Sequence, residues 1–420
     1  MIPVKPELLA PAGNFEKLEI AIHYGADAVY LAGKDFSLRN FSENFSETEL
    51  FAAVKLAHQH GVKVYLACNI YSRTHEESAI RSFLSKAGEI SPDAVIIADP
   101  GILLMAGEII PHIPLHLSTQ ANTTNLSAVK LWHKLGVKRV NLARELSLTE
   151  IKAIVEHSPI EVESFVHGAM CVSYSGRCLL SNFLNNRDSN QGLCSHPCRW
   201  KYAVVEEMRP GSYHPLVEDE RGSYIFNSKD LCMIEHIPAL IQAGINSLKI
   251  EGRMKGIYYL ASVIKTYRNA IDSYMNSPET YKSDPRWLNE LYQVFSREYC
   301  TGFYFGYPDE GLQNYNNSRL GQIHGFIGKI IDIAKITDEA NQDQGQDQDR
   351  KYMVQIKNKL LATDTIVILS PTGDPKPVKI LELTDSQNNP IPAAQPNTVA
   401  LLRIESRCHV NDIVRKLASE

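Results

Sequence analysis

No stretch of this chain approaches the roughly 18 consecutive apolar residues that a membrane-spanning helix needs. The opening MIPVKPELLAPAG also lacks a basic segment followed by an apolar core and a small-residue cleavage site. The expectation is a cytoplasmic protein with no membrane partner. An excess of either charge is missing too: 43 basic against 48 acidic side chains leave a net charge of -5. That balance argues against a nonspecific nucleic-acid coat and leaves room only for a local basic patch. With 24 glycines, 21 prolines and 44% hydrophobic residues in 420, disorder and collagen-like repeats are excluded. Several catalytic signatures are absent as well. No G-x-G-x-x-G follows the first predicted strand, and neither a G-x-S-x-G elbow nor a P-loop lysine motif is present. His75-Glu76-Glu77 has no second His at zincin spacing.

What is present is an alternation of short β-branched strands with amphipathic helices through the first 275 residues. The predicted strands are Leu8 to Gly13, Ala28 to Gly33, Val62 to Asn69, Ala94 to Asp99, Leu115 to Asn122, Arg139 to Glu145, Val162 to Gly168 and Ser247 to Arg253. Gly25, Gly61 and Gly136 precede strands where helices end. Eight such units suggest an α/β fold, a (β/α)8 TIM-like barrel rather than a doubly wound sheet. Between strands seven and eight the pattern breaks from Ala169 to about Asn246. That insertion carries a cysteine cluster and a predicted hairpin (Tyr202 to Val205, Ser223 to Phe226) around Pro210-Gly211, and it emerges at the face where barrel active sites lie. A helix from Gly256 to Tyr274 closes the barrel domain (1–275), and residues 276–324 read as a helical and loop linker. From 325 to 420 five short strands indicate a small all-β barrel: Phe326 to Ile333, Tyr352 to Ile356, Thr365 to Leu369, Val378 to Leu383 and Thr398 to Ile404. Its charges cancel, and residues 341–350 form a polar low-complexity insert.

Five of the eight cysteines fall between residues 171 and 232, as Cys171-x6-Cys178-x15-Cys194-x3-Cys198 with Cys232 beyond. In a reducing compartment such a cluster is not read as a disulfide framework. Thiolates are the usual ligands of zinc and of iron-sulfur clusters. Structural zinc favours two tight C-x2-4-C pairs, and here one pair is split by six residues, so the spacing leans towards an iron-sulfur cluster, with zinc and plain buried thiols as alternatives. Cys68, Cys300 and Cys408 are isolated and read as passive.

Polar residues at strand ends form a second constellation. Asn69, Asp99, Gln120, Asn122, Arg144, Glu145, His167, Glu251 and Arg253 should converge on the barrel mouth. Arg144 and Arg253 could take a carboxylate or phosphate, and His167 and Glu251 could move protons. An Arg/Glu network that only braces the rim is the plainer alternative. Arg187, Arg199 and Lys201, interleaved with Tyr174, Trp200 and Tyr202, could contact a nucleic-acid backbone and stack on bases.

The run from Glu163 to Ser181, ESFVHGAMCVSYSGRCLLS, resembles the signature of the collagenase-like peptidase family of unclassified mechanism, peptidase U32. LAPAG (9–13), NRDSNQG (186–192), NSKD (227–230) and KIEGR (249–253) resemble it too, and the C-terminal β domain is similar to that of the family's tRNA-acting branch. The resemblance implies either a peptidase or an oxygen-independent hydroxylation factor. In the tRNA branch the product is 5-hydroxyuridine at the wobble position, with prephenate as the implied hydroxyl donor. It also implies a 4Fe-4S cluster on Cys171, Cys178, Cys194 and Cys232, with Cys198 competing for the third place. The resulting expectation is a tRNA uridine hydroxylase. Arg144, Arg177 and Arg253 would hold a small dicarboxylate, His167 and Glu251 would carry protons, and Gln120, Asn122 and Asn69 would complete the substrate pocket. Two further readings are a collagenase-like peptidase and an iron-sulfur subunit that works beside a paralogous barrel subunit.

Overall fold

The computed structural model describes residues 4–38, 43–171, 173–199, 218–219, 222–223, 229–294, 298–306, 324–335 and 350–417. Its first part runs β1 (Glu7–Pro11), α1 (Phe15–His23), β2 (Ala28–Leu31), α2 (Glu47–Gln59), β3 (Lys63–Cys68), α3 (Glu77–Ile90), β4 (Ala94–Ile97), α4 (Pro100–Ile109), β5 (Leu115–Leu117), α5 (Leu126–Lys134), β6 (Val137–Asn141), α6 (Leu148–Val155) and β7 (Glu161–Ala169). Then come α7 (Leu180–Asn185), the two-residue strands β8 (Glu218–Asp219) and β9 (Gly222–Ser223), β10 (Asp230–Cys232), α8 (Ile237–Gln242), β11 (Ser247–Ile250), α9 (Ile257–Asn276), α10 (Pro285–Gln293) and β12 (Tyr299–Cys300). Strands β1 to β7 and β11 pair in parallel, and β11 bonds both β7 and β1, closing the (β/α)8 barrel.

Helix starts follow local chemistry. Ser46 with Glu49 and Ser147 with Glu150 form capping boxes, and Asn14, Asp99 and Asn125 accept backbone N–H groups at the starts of α1, α4 and α5. The strands end earlier than the hydrophobic pattern suggests, so Asn69, Asp99, Asn122 and Glu145 sit in the loops beyond them. The regular pattern also resumes sooner, at Asp230 instead of Ser247: β10 lies antiparallel to the end of β7, and α8 covers the seventh unit. Of the predicted hairpin, residues 202–205 and 224–226 lie outside the described residues, as do Trp200, Lys201 and residues 341–349; Glu218–Asp219 pairs with Gly222–Ser223.

One irregularity decides where side chains point. On β7, Phe165 pairs with Lys249 but the next pair is His167 with Ile250, so β7 carries an extra residue at Val166. Such a bulge reverses the alternation of faces. Glu163 and Phe165 face the barrel interior, whereas His167 turns outward, its ring 5.4 Å from that of Tyr267 on α9.

The second unit is a closed six-stranded antiparallel barrel. It is built from β13 (His324–Lys335), β14 (Arg350–Ile356), β16 (Thr365–Leu369), β17 (Pro377–Asp385), β19 (Val399–Ile404) and β20 (Ile413–Leu417), with a side pair β15 (Leu360–Leu361) and β18 (Ala393–Ala394). The sixth strand, β20, is not among the five expected. It carries Arg415, which is 2% exposed and holds Glu290 of α10 with two hydrogen bonds of 2.7 and 2.9 Å, so a buried charge breaks the apolar alternation that would have announced a strand. The small barrel is joined to α1 and α9. Tyr24 donates to Leu369 O and accepts from Ile413 N, and Lys265 donates to Ser370 O and Gly373 O at 2.6 and 2.8 Å.

Candidate functional site

A cavity of about 200 Å³ opens at the C-terminal ends of the parallel strands. Asn69, Gln120, Arg144, Glu251 and Arg253 line it from the strand ends, and Cys171, Cys178, Cys194 and Cys198 line it from the loop after β7. These nine residues, all singled out from the sequence, thus share one wall.

The cysteine loop is framed by the motif residues around it. Asn190 receives the backbone N–H of Cys178 on its side-chain oxygen at 3.4 Å and returns its amide to Cys178 O at 3.1 Å, while Ser189 donates its hydroxyl to the same carbonyl. Ser195, next to Cys194, takes hydrogen bonds from Ser181 or gives them, and accepts from Asn185 Nδ2 at 2.7 Å. Glu145 accepts from both the N–H and the hydroxyl of Ser175, which holds the stretch between Cys171 and Cys178 against the rim. The run 186–192 therefore serves to seat thiols.

Two of the expected arginines act on the same loop. Arg144 lies 3.8 Å over the Phe165 ring and donates to Ala169 O at 2.8 Å, fixing the end of β7 from which the loop departs. Arg177 does not line the cavity; it donates to Gln120 O at 2.9 Å and to Tyr71 Oη at 2.6 Å. Arg253 is buried and donates to Ser37 and Asn44. Asn69 and Ser118 both donate to Gln120 Oε1, at 3.1 and 2.9 Å, which fixes the carboxamide plane at the cavity wall. Asp99 is occupied as the cap of α4, and Asn122, expected in the substrate pocket, does not line the cavity but sits in a left-handed turn with φ 53°.

Two assignments are corrected. His167 is not at the mouth: the bulge at Val166 turns it out towards α9, where burial keeps it neutral with its pKa held down to about 3, so it does not exchange protons with the cavity. Cys232 pairs directly with His167 across β10 and β7 and faces the same way, 4.0 Å from Tyr267 Oη, and burial pushes its thiol up to about 12. It is Cys198, not Cys232, that shares the cavity with Cys171, Cys178 and Cys194.

The donor set suits a soft metal centre. None of the four thiols is in a disulfide, and all are at least partly accessible. The Cys178 and Cys194 sulfurs each accept a backbone N–H two residues on, from Leu180 and His196 at 3.4 Å, the kind of N–H···S bond that tunes a sulfur-ligated metal centre. Among the described residues, no three His, Cys, Asp or Glu side chains are already drawn together as a ligand shell.

Sequence reasoning passed over Lys249. It stands at the cavity floor, 2.8 Å from Glu163 Oε1, on top of a buried network in which Arg139 binds Glu7 at 2.5 Å and lies 3.6 Å from Glu163. The signal was there in KIEGR, as a lysine between Leu248 and Ile250 in a fully buried strand.

A parallel barrel with a thiol-walled mouth and a second β-barrel fixed to its flank defines a two-barrel protein built around one polar cavity. The chain belongs to peptidase family U32: the family model matches residues 13–314, and the U32 C-terminal domain matches residues 336–415. It is 36% identical over 418 residues to "tRNA hydroxylation protein P1" of Bacillus subtilis, covering 99% of this chain and 96% of that one. It is 36% identical over 411 residues to "tRNA hydroxylation protein P" of Escherichia coli, covering 88% and 87%. "Collagenase" of Porphyromonas gingivalis is 33% identical over 338 residues, covering 77% and 80%. No helix among the described residues is long and apolar enough to cross a membrane.

Proposed function

We propose that this chain is a tRNA-hydroxylating enzyme. It would form 5-hydroxyuridine at the wobble position with prephenate as hydroxyl donor, using a 4Fe-4S cluster on Cys171, Cys178, Cys194 and Cys198. The observation that carries the reading is the full-length similarity to relatives of that name, joined to four thiols on the wall of a polar barrel cavity. A cluster held there would supply one-electron chemistry at the cavity edge. The chain's own residues do the rest. Gln120, its carboxamide fixed by Asn69 and Ser118, offers a hydrogen bond to a base flipped into the mouth. Glu251 is the one carboxylate among the described lining residues and is placed to take or return a proton. Arg253 offers positive charge to an anionic co-substrate.

The test is deletion of the gene followed by mass spectrometry of tRNA nucleosides: loss of 5-hydroxyuridine-derived nucleosides, restored by the intact gene and not by Cys178→Ser, is expected. Unchanged nucleosides would overturn the reading. Anaerobically purified protein is expected to be brown with about four irons per chain; one tightly bound zinc in colourless protein would replace the cluster by zinc. The similarity to "Collagenase" supports a second reading, a peptidase. Gelatin cleavage that survives Cys171→Ala and Cys178→Ala would favour it.

A further inference from the structure

Lys249 is 4% exposed, yet its side chain reaches the floor of the cavity. An ammonium has three N–H donors. One goes to Glu163 Oε1, and among the described residues Glu163 is the sole acceptor it has. Glu163 is not its private partner: Asn141 Nδ2 donates to the same oxygen at 2.9 Å, and Arg139 stands 3.6 Å from the other. The rings of Tyr30 and Phe165 flank the nitrogen at 4.6 and 5.4 Å, close enough to favour the cation but unable to satisfy its N–H groups. Burying an ammonium with donors unfilled is costly unless something enters to accept them. The wall above it adds Arg144, Arg253 and Lys255 against a single carboxylate, Glu251, among the described lining residues. Arg144 and Arg253 lie past the ends of β6 and β11 and so stand nearer the mouth than Lys249, which is inside β11.

We propose that Lys249 is the anchor of a carboxylate seat at the floor of the barrel cavity, holding the acid group of a small organic co-substrate with its remaining N–H donors. Phe165 and Tyr30 pack the organic part, and Arg144 and Arg253 add positive charge to the wall higher up. Burial already depresses the Lys249 pKa, and a bound carboxylate would raise it again. The seat deepens the proposed function and rests on its requirement for an acidic co-substrate, but it can be tested without RNA.

The experiment is calorimetric titration of anaerobically purified full-length protein with phenylpyruvate and with its uncharged methyl ester. The native protein is expected to bind the acid at least about tenfold more tightly than the ester, as a charge-assisted hydrogen bond requires. Removing Lys249 alone would leave Glu163 with only Asn141 as hydrogen-bond donor and Arg139 3.6 Å away, so the informative variant is Lys249→Met with Glu163→Gln, which deletes both charges. It should lose about tenfold to a hundredfold in affinity for the acid and nothing for the ester. If the double variant does not fold, Lys249→Gln, which keeps a donor for Glu163, takes its place with the same expectation. Equal affinity of native and variant protein for the acid, or no preference for acid over ester in the native protein, overturns the seat. A deletion strain with unchanged tRNA nucleosides beside an intact acid preference would remove the proposed function and leave the seat standing.

Discussion

A Cβ placed on Gly168 would stand 2.5 Å from the carbonyl oxygen of Glu251 and 2.9 Å from its Cβ, and Gly168 has φ +106°. The end of β7 and the end of β11 are thus pressed together at the cavity rim with no room for a side chain, in a conformation that L-residues rarely adopt. Gly168→Ala is expected to cost about 1–3 kcal/mol from the backbone alone. The clash should also push Glu251 out of the wall. Urea unfolding and tRNA hydroxylation activity, read on the same preparation, check both effects; a variant as stable as the native protein would contradict the packing described.

The cysteines should separate into two groups. Cys171→Ser, Cys178→Ser, Cys194→Ser and Cys198→Ser each remove a thiol from the cavity wall, and each is expected to lose most of the bound iron with little change in folding. Cys232→Ala lies behind β7 against Tyr267. It should keep its iron and instead lower stability by about 0.5–3 kcal/mol, the usual range for a destabilising single substitution. Iron and sulfide analysis with the visible spectrum decides. Loss of iron in the Cys232 variant with full iron in the Cys198 variant would reverse the assignment.

Stability should fall on mild acidification. His167, held down to about 3 by burial, and His116, held well below 6.5 by burial and then by Arg139, Lys249 and Lys63, are neutral in the folded protein. The unfolded chain binds their protons near pH 6.5. Their contribution is therefore fully present above about pH 6.5 and lost as pH falls from there towards 3, at up to about 1.4 kcal/mol per pH unit for each. Denaturant unfolding between pH 7 and 5 should show the slope, and His167→Gln should flatten it by the share of one histidine. An unchanged slope in that variant would show His167 to be accessible to protons.

Arg415→Ala is expected to loosen the joint between the barrels, because it leaves the Glu290 carboxylate in place without its two charged hydrogen bonds. Breaking a buried pair from one side typically costs about 3–5 kcal/mol. Arg415→Met with Glu290→Gln should recover a good part. Calorimetric unfolding that shows one transition in the native protein and two in Arg415→Ala is the expected signature.

The sequence was a good guide wherever burial follows a simple period. The eight parallel strands, the break after Ala169 and the thiols at the barrel mouth all follow from apolar spacing and from cysteines gathered in one segment. It misled where one residue alters the count. Reading β7 in twos from Glu163 and Phe165 places His167 inside, and the extra Val166 turns it out, carrying its partner Cys232 with it. Polarity also concealed structure: Arg415 disguised β20, and Lys249 passed as part of a motif instead of a core position whose charge needs an occupant. Asp99 and Glu145 look catalytic by position but serve as acceptors for backbone N–H groups, a role that only the local turn reveals.

The floor beneath Lys249 is shut. Glu7 joins Arg139 and Tyr65 by hydrogen bonds across the barrel, Arg139 stands in ion-pair range of Glu163 at 3.6 Å, and Lys63 closes the far side on Glu7. The chamber is therefore a cul-de-sac whose traffic passes the cysteine loop in both directions. A polymer laid across that entrance would seal in whatever small molecule had gone before it, and would have to leave before the spent molecule could follow.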